Sequence, residues 1–334
     1  MEGLTFKERF ALTRDFRRGA TVVFIGMVLY LALDYAISNL IAVFYFLSKG
    51  TGLESEQITS LLEADADGMG WITLASVAIA ALVTWLYFAF KKNEASAFPG
   101  ATEKQAVFGN NKPVNYKMIV FAMALILCVQ LLFVIIFNGL ELLFNMGGMT
   151  LEGSVALETD YSITASLILY ACIIGPFVEE LIFRGFVMKG LKQYGKSFAI
   201  ITSSLCFALM HGDFRQSILT FFVGLIFGYV AMEYSIFWST VLHIYNNMVL
   251  SELWVRFLEL FPESTQGLIV CGTLAVLLAV FITLAVRNRE KIKLWLAESR
   301  TPQGTYPRVW SSIIFILFVI HYTLTALGTI NVLP

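Results

Sequence analysis

The stretch GPFVEELIFRG, Gly175 to Gly185, sets two adjacent glutamates and an arginine inside a long apolar run. A charged side chain near the centre of a membrane helix costs about 2.5–3.5 kcal/mol on insertion scales. Either this run does not span a membrane, or its charges have partners and a use. The surrounding sequence decides for a span. The chain has 334 residues, of which 58% are hydrophobic and only 14% charged, with a mean hydropathy of +0.75. Soluble domains carry about 25% charged residues. A single integral-membrane domain over 1–334 follows, all-α, because only helices and closed barrels satisfy their backbone in lipid.

A helix needs about 20 apolar residues to cross the hydrocarbon core. By that measure the sequence predicts a polytopic helical bundle of about nine transmembrane helices, near 19–47, 69–90, 118–144, 163–192, 197–212, 214–234, 236–254, 266–286 and 309–331. Basic residues test the map. Lys7, Arg9, Arg14, Arg17 and Arg18 precede the first span, and Lys91, Lys92, Lys104, Lys112 and Lys117 lie between the second and third. Lys189, Lys192 and Lys196 follow the fourth, and six lysines and arginines lie between the eighth and ninth. The alternate loops are poor in basic residues: 48–68 holds one lysine against five acids, and 146–160 holds none. The positive-inside rule then puts the N-terminus in the cytoplasm and the C-terminus outside. No cleavable signal peptide is expected, since Met1 to Arg18 is polar and the first apolar run is too long for one.

The four cysteines, Cys128, Cys172, Cys206 and Cys271, sit singly in apolar runs, against a disulfide framework or a zinc knuckle. Asp65 and Asp67 lack the full spacing of a calcium loop and read as an acidic external segment. Nothing points to a nucleic-acid partner.

The second half breaks its apolar pattern in three places: Glu179–Glu180 with Arg184, then FALMHGD ending past His211, then HIYNN with His243 and Asn247. At 1.5 Å rise per residue, Glu179 and His211 each lie about 20 Å from the turn near 193–196 that joins their helices, and so reach equal depth. His243 rises only about 12 Å from its own turn at Tyr234–Ser235 by the same rule, so a sunken turn is needed to bring it level. Glu180 and Arg184 form an i,i+4 pair. Glu179 is rotated about 100° from Glu180, so the two carboxylates cannot face Arg184 equally. The expected division is a structural Glu180–Arg184 pair with Glu179 free for chemistry. Pro176 removes a backbone hydrogen bond just before the glutamates and opens the helix there. Asp34, Gln130, Asn138 and Glu141 are expected to line the same polar interior, His321 to be structural, and Gly224 with Gly228 to pack a helix closely.

E-E-x-x-x-R, F-x-x-x-H and H-x-x-x-N, in that order on successive apolar helices, resemble the CPBP family of intramembrane proteases, which includes the type II CAAX prenyl endopeptidases and the bacterial Abi proteins. The resemblance covers about 160–254, the expected catalytic core, with additional membrane helices in 1–159 and 255–334. One departure is EYSIF, Glu233 to Phe237, where many relatives carry a Thr-Gly-Ser turn. The resemblance implies that Glu179 and His211 activate the attacking water, that His243 and Asn247 hold the oxyanion, and that Glu180 and Arg184 support them. The substrate implied is a membrane-associated peptide or protein, and the setting a cell membrane.

Glu179, His211 and His243 also match a two-His-one-carboxylate zinc set. Hydrolysis without a cofactor is the preferred expectation, with a zinc-dependent protease using the same residues as the alternative. A non-catalytic binding or immunity scaffold is a further alternative. A transporter is disfavoured by the lack of an inverted repeat. The substrate's identity and the oligomeric state are not legible in the sequence.

Overall fold

A computed structural model of the protein describes residues 6–48, 65–95, 112–151 and 164–333. The side chains of Lys7, Arg9, Lys91, Lys92 and Lys104, and most of loops 48–68 and 146–160, lie outside the described residues. Helix follows helix along the chain: α1 Phe6–Ser48, α2 Ala66–Ala95, α3 Tyr116–Met146, α4 Ala165–Tyr194, α5 Lys196–Leu209 and α6 Phe214–Glu233. Helix α7 begins as Ile236–Ile244 and continues through Tyr245–Leu253 and Trp254–Glu259. After it come α8 Glu263–Arg287, α9 Arg289–Glu298, α10 Thr305–Trp310 and α11 Ile313–Leu327.

The protein is an all-α polytopic bundle, and every expected span overlaps a helix, although the fifth runs past the end of α5 and the ninth is broken at Ser311–Ser312 between α10 and α11. Six of them, α1 to α4, α6 and α8, are long and apolar enough to cross a membrane on their own. Helices α5 and α11 are apolar but shorter. Helix α7 is diluted by His243, Asn246, Asn247 and Glu252. Leu274 is the one buried residue of α8, while Leu268, Val276 and Val286 point outward, as a helix against lipid should. Within the basic connection 287–308 the structure places two short helices, α9 and α10, that hydropathy alone did not announce.

Capping residues set the helix ends. Asn115 starts α3 by accepting from the Lys117 N–H at 3.2 Å. Gly195, with φ of 126°, breaks the chain between α4 and α5 in a conformation that favours glycine. Gly212, with φ of 64°, turns the chain after α5, and the Asp213 carboxylate then accepts from the Gln216 N–H at 2.7 Å to begin α6.

Contacts sort the helix connections into two groups. Glu233, at the end of α6, pairs with Lys112 ahead of α3, with Lys196 at the start of α5 at 3.2 Å, and with the Trp295 indole of α9 at 3.3 Å. Tyr194, at the end of α4, donates to the Phe16 carbonyl of α1 at 3.0 Å. The other group joins Asp67 of α2 to Ser166 of α4, and the Phe214 N–H to Thr329. In that second group a two-strand ladder pairs β1 (Met149–Thr150) antiparallel with β2 (Asn331–Val332). Each group gathers the connections that the alternation of basic residues assigns to one side.

The interior has two main apolar clusters. One joins α1, α2, α4, α5 and α11 around Phe24, Phe183, Phe198 and Phe207. The other joins α3, α6 and α7 around Ile126, Phe227 and Leu242. The charged residues of α4 lie where the clusters meet.

Candidate active site

Helix α4 is not a regular helix. Two wide π segments, Tyr170–Ile174 and Leu181–Met188, flank the α-helical turn Gly175–Glu180. Pro176 explains the first. It has no N–H, and its ring clashes with the carbonyl four residues back, so the backbone widens ahead of it and the Gly175 N–H reaches the Tyr170 carbonyl. The expected opening at Pro176 is therefore a π bulge. A third π segment, Tyr245–Leu253, follows His243 in α7. Such bulges re-aim side chains and recur at functional sites.

Arg184 and Glu180 form an ion pair at 3.0 Å, both fully buried. A buried charge pair needs further polar partners, and it has several, although Arg184 Nε has none among the described residues. Arg184 Nη2 donates to the Gly224 carbonyl at 3.2 Å, and the guanidinium carbon lies 4.3 Å from the centre of the Phe207 ring. Glycine is needed at 224 for this approach. A Cβ there would stand 3.2 Å from Arg184 Nη2 and 3.3 Å from Phe207. Gly228, one turn on, meets Ile200 of α5 in the same way, so the expected close helix packing is found. On its other side, Glu180 accepts from the Ser239 hydroxyl and lies 3.2 Å from His243 Nδ1.

His243 links the two glutamates. Its Nδ1 faces Glu180, and its Nε2 lies 3.6 Å from Glu179 Oε2. The ring stacks on Phe227 at 4.8 Å and meets Phe207 edge-on at 5.5 Å, so one phenylalanine from each apolar cluster clamps it. His243 thus stands level with the glutamates, as a sunken turn requires, and Ser235 in that turn is buried. Glu179 keeps 20% of its side chain accessible, whereas Glu180 has none. The two adjacent carboxylates therefore differ as expected: one is locked in a pair and one faces open space.

His211, expected on the fifth span, lies just past the end of α5, in the turn that leads to α6. Its Nδ1 lies 2.8 Å from the Phe207 carbonyl. A carbonyl only accepts, so Nδ1 carries the proton and Nε2 of the neutral ring is left as an acceptor. His211 and His243 both meet the Phe207 ring, but His211 makes no hydrogen bond to either glutamate among the described residues. Asn247 also stands apart from the carboxylates. Its Nδ2 donates to the Ala171 carbonyl at 2.8 Å, and its Oδ1 accepts from Asn246 at 3.0 Å. Asn246 in turn accepts from Gln130 of α3 at 2.9 Å.

The other polar residues divide. Asp34 of α1 is hydrogen-bonded by Ser76 of α2 at 2.8 Å. Gln130 reaches the site through Asn246. Asn138 is exposed, and Glu141 binds Thr150 and the Leu151 N–H near the β ladder, so neither lines the interior. Helical position alone could not separate these residues, because α3 presents most of its surface to lipid. His321 is exposed on α11, away from the group. Asp65 accepts from Tyr45, and Asp67 accepts from Trp71 and Ser166. Cys128, Cys172 and Cys206 are buried free thiols and Cys271 an exposed one. Sequence reasoning missed Ser239 and Asn246. Ser239 lies four residues before His243 and shares its helix face.

Of the Glu179, His211 and His243 set, each histidine has its Nδ1 engaged, at the Phe207 carbonyl and at Glu180 respectively. Among the described residues no group of three His, Cys, Asp or Glu side chains is placed to hold a metal ion.

A family model described as Type II CAAX prenyl endopeptidase Rce1-like matches residues 161–249. That stretch runs from α4 into α7 and contains Glu179, Glu180, Arg184, His211, His243 and Asn247, while α1 to α3 and α8 to α11 lie outside it. No curated protein and no solved structure matches the chain.

Proposed function

We propose, taking the match of residues 161–249 to the Rce1-like family as premise, that this multi-pass membrane protein is an intramembrane endopeptidase of glutamate type. It hydrolyses a peptide bond of a membrane-associated peptide or protein. The observation that carries this reading is the convergence of α4 and α7. They come from separate parts of the chain, yet His243 faces both glutamates, and of the two Glu179 alone keeps part of its side chain accessible.

Glu179 takes the proton of the attacking water, with the free Nε2 of His211 as second acceptor. The substrate carbonyl lies toward α7, where the developing oxyanion meets His243 and Asn247. With Nδ1 turned to Glu180, His243 donates from Nε2 only when its ring carries both protons. The Asn247 amide has one N–H on Ala171 and a second to offer. Glu180, Arg184 and Ser239 hold His243 from behind. The core of this activity is 160–254, and the remaining helices enclose it. The basic residues on the connections of the first group support an N-terminus in the cytoplasm and a C-terminus outside, with the substrate entering from the cytoplasmic side.

The test compares peptide termini by mass spectrometry in cells lacking the protein, complemented with wild type or Glu179→Ala at matched membrane levels. New termini that appear with wild type and vanish with Glu179→Ala are expected. Identical termini in the two strains would remove Glu179 from catalysis and leave a binding scaffold. Purified protein is expected to carry no stoichiometric zinc. Activity lost to a chelator and restored by zinc would overturn the glutamate mechanism.

A further inference from the structure

We infer that Gln130 and Asn246 are positioning residues that fix the Asn247 amide for oxyanion binding, an inference that rests on the proposed role of Asn247. It begins at Pro176. The Gly175 N–H is spent on the Tyr170 carbonyl and Pro176 has none, so the π bulge strips the Ala171 carbonyl of its usual helical donor. Asn247 Nδ2 supplies the missing donor from α7 at 2.8 Å. A carbonyl can only accept, so this contact alone decides which end of the Asn247 amide is NH2.

The other end, which must then be the acceptor Oδ1, is held by two further amides. Gln130 Nε2 donates to Asn246 Oδ1 at 2.9 Å, which turns the Asn246 NH2 toward Asn247 Oδ1 at 3.0 Å. Three amides are thus aligned head to tail, from α3 through α7 to the bulge in α4. Each has a fixed direction, and the run ends on an obligate acceptor. The effect is to hold the second Asn247 N–H on one bearing, and pre-aimed donors of this kind stabilise an oxyanion without reorganising. Gln130 lies on α3, outside the matched segment 161–249, so the helices beyond the match complete the site.

The experiment measures the rate at which product termini form in complemented cells at matched membrane levels, with melting of the purified variants as a fold control. Gln130→Glu keeps the side chain's shape but loses the amide donor, and it is expected to slow processing about 10- to 100-fold, as losses of supporting residues do elsewhere. Asn246→Ala should be slowed similarly. Because Gln130 acts through Asn247, the double variant Gln130→Glu/Asn247→Ala should be no slower than Asn247→Ala alone. A multiplicative loss in the double variant would overturn the inference, as would full-rate processing by Gln130→Glu beside an inactive Glu179→Ala. An active Glu179→Ala protein would overturn the protease reading, and the inference with it.

Discussion

Glu179 and Glu180 differ by one position and about 100° of helix rotation, and that rotation sends them to different surroundings. Glu180 is enclosed by Arg184, Ser239 and His243. Glu179 has one close partner, His243 at 3.6 Å, and an open side. Glu179→Gln is therefore expected to abolish processing with little change in melting temperature. Arg184→Ala should do the reverse of a clean catalytic variant. It leaves Glu180 buried without its counter-charge, a loss of about 3–5 kcal/mol, visible as a collapsed melting transition and low membrane levels. The i,i+4 pair was legible because both partners lie on one helix. The hydrogen bond from His211 to the Phe207 carbonyl is local as well. What helix spacing could not give was the posture of His243, whose contacts with Glu179 and Glu180 cross between α4 and α7.

At the scale of the element, the irregular turns of α4 and α7 matter more than their helicity. Pro176 announces the first bulge, whereas nothing in Leu181–Met188 or Tyr245–Leu253 marks a wide turn locally. Pro176→Ala restores an N–H to the bulge. It is expected to return the turn toward regular α-helix, to rotate Glu179 away from His243, and to lower processing at least tenfold with melting unchanged or raised, which paired activity and melting assays would reveal. Gly224 tests the crossing of α6 against α5. A Gly224→Val side chain would press on Arg184 and Phe207. Overpacking of this kind costs about 1–3 kcal/mol, so the variant should melt lower, while Gly139→Val, at a position with nothing within 4 Å, should not. The G-x-x-x-G face was readable, but the partner helix was not.

For the whole molecule, the alternation of basic and acidic loops assigned each connection to a side, and the contacts around Glu233 and along the β ladder sort the connections the same way. Cysteines placed at Met149 and Val332, which face each other in the ladder, should cross-link on oxidation and react with an impermeant thiol reagent from outside the cell. Labelling from the cytoplasmic side only would reverse the proposed orientation. The contact between Lys112 and Glu233 adds a pH term. Its hydrogen bond to Glu233 holds the Lys112 amine protonated to higher pH than usual. The stability gained is complete below the ordinary lysine value of about 10.4 and is lost as pH rises through the elevated one. Lys112→Met should therefore flatten the alkaline limb of a melting profile and alter the neutral range little, since Lys112 is largely exposed.

The buried ion pair has a consequence for the order in which the protein is made. Ribosomes deliver α4 to the bilayer before α7 exists. Glu180 and Arg184 sit on the same helix and can neutralise each other at the moment of insertion, whereas Glu179 has no histidine to face until some sixty residues later, when His243 emerges. A nascent chain that stalls before α7 carries the Glu180–Arg184 pair complete and Glu179 still without its histidine.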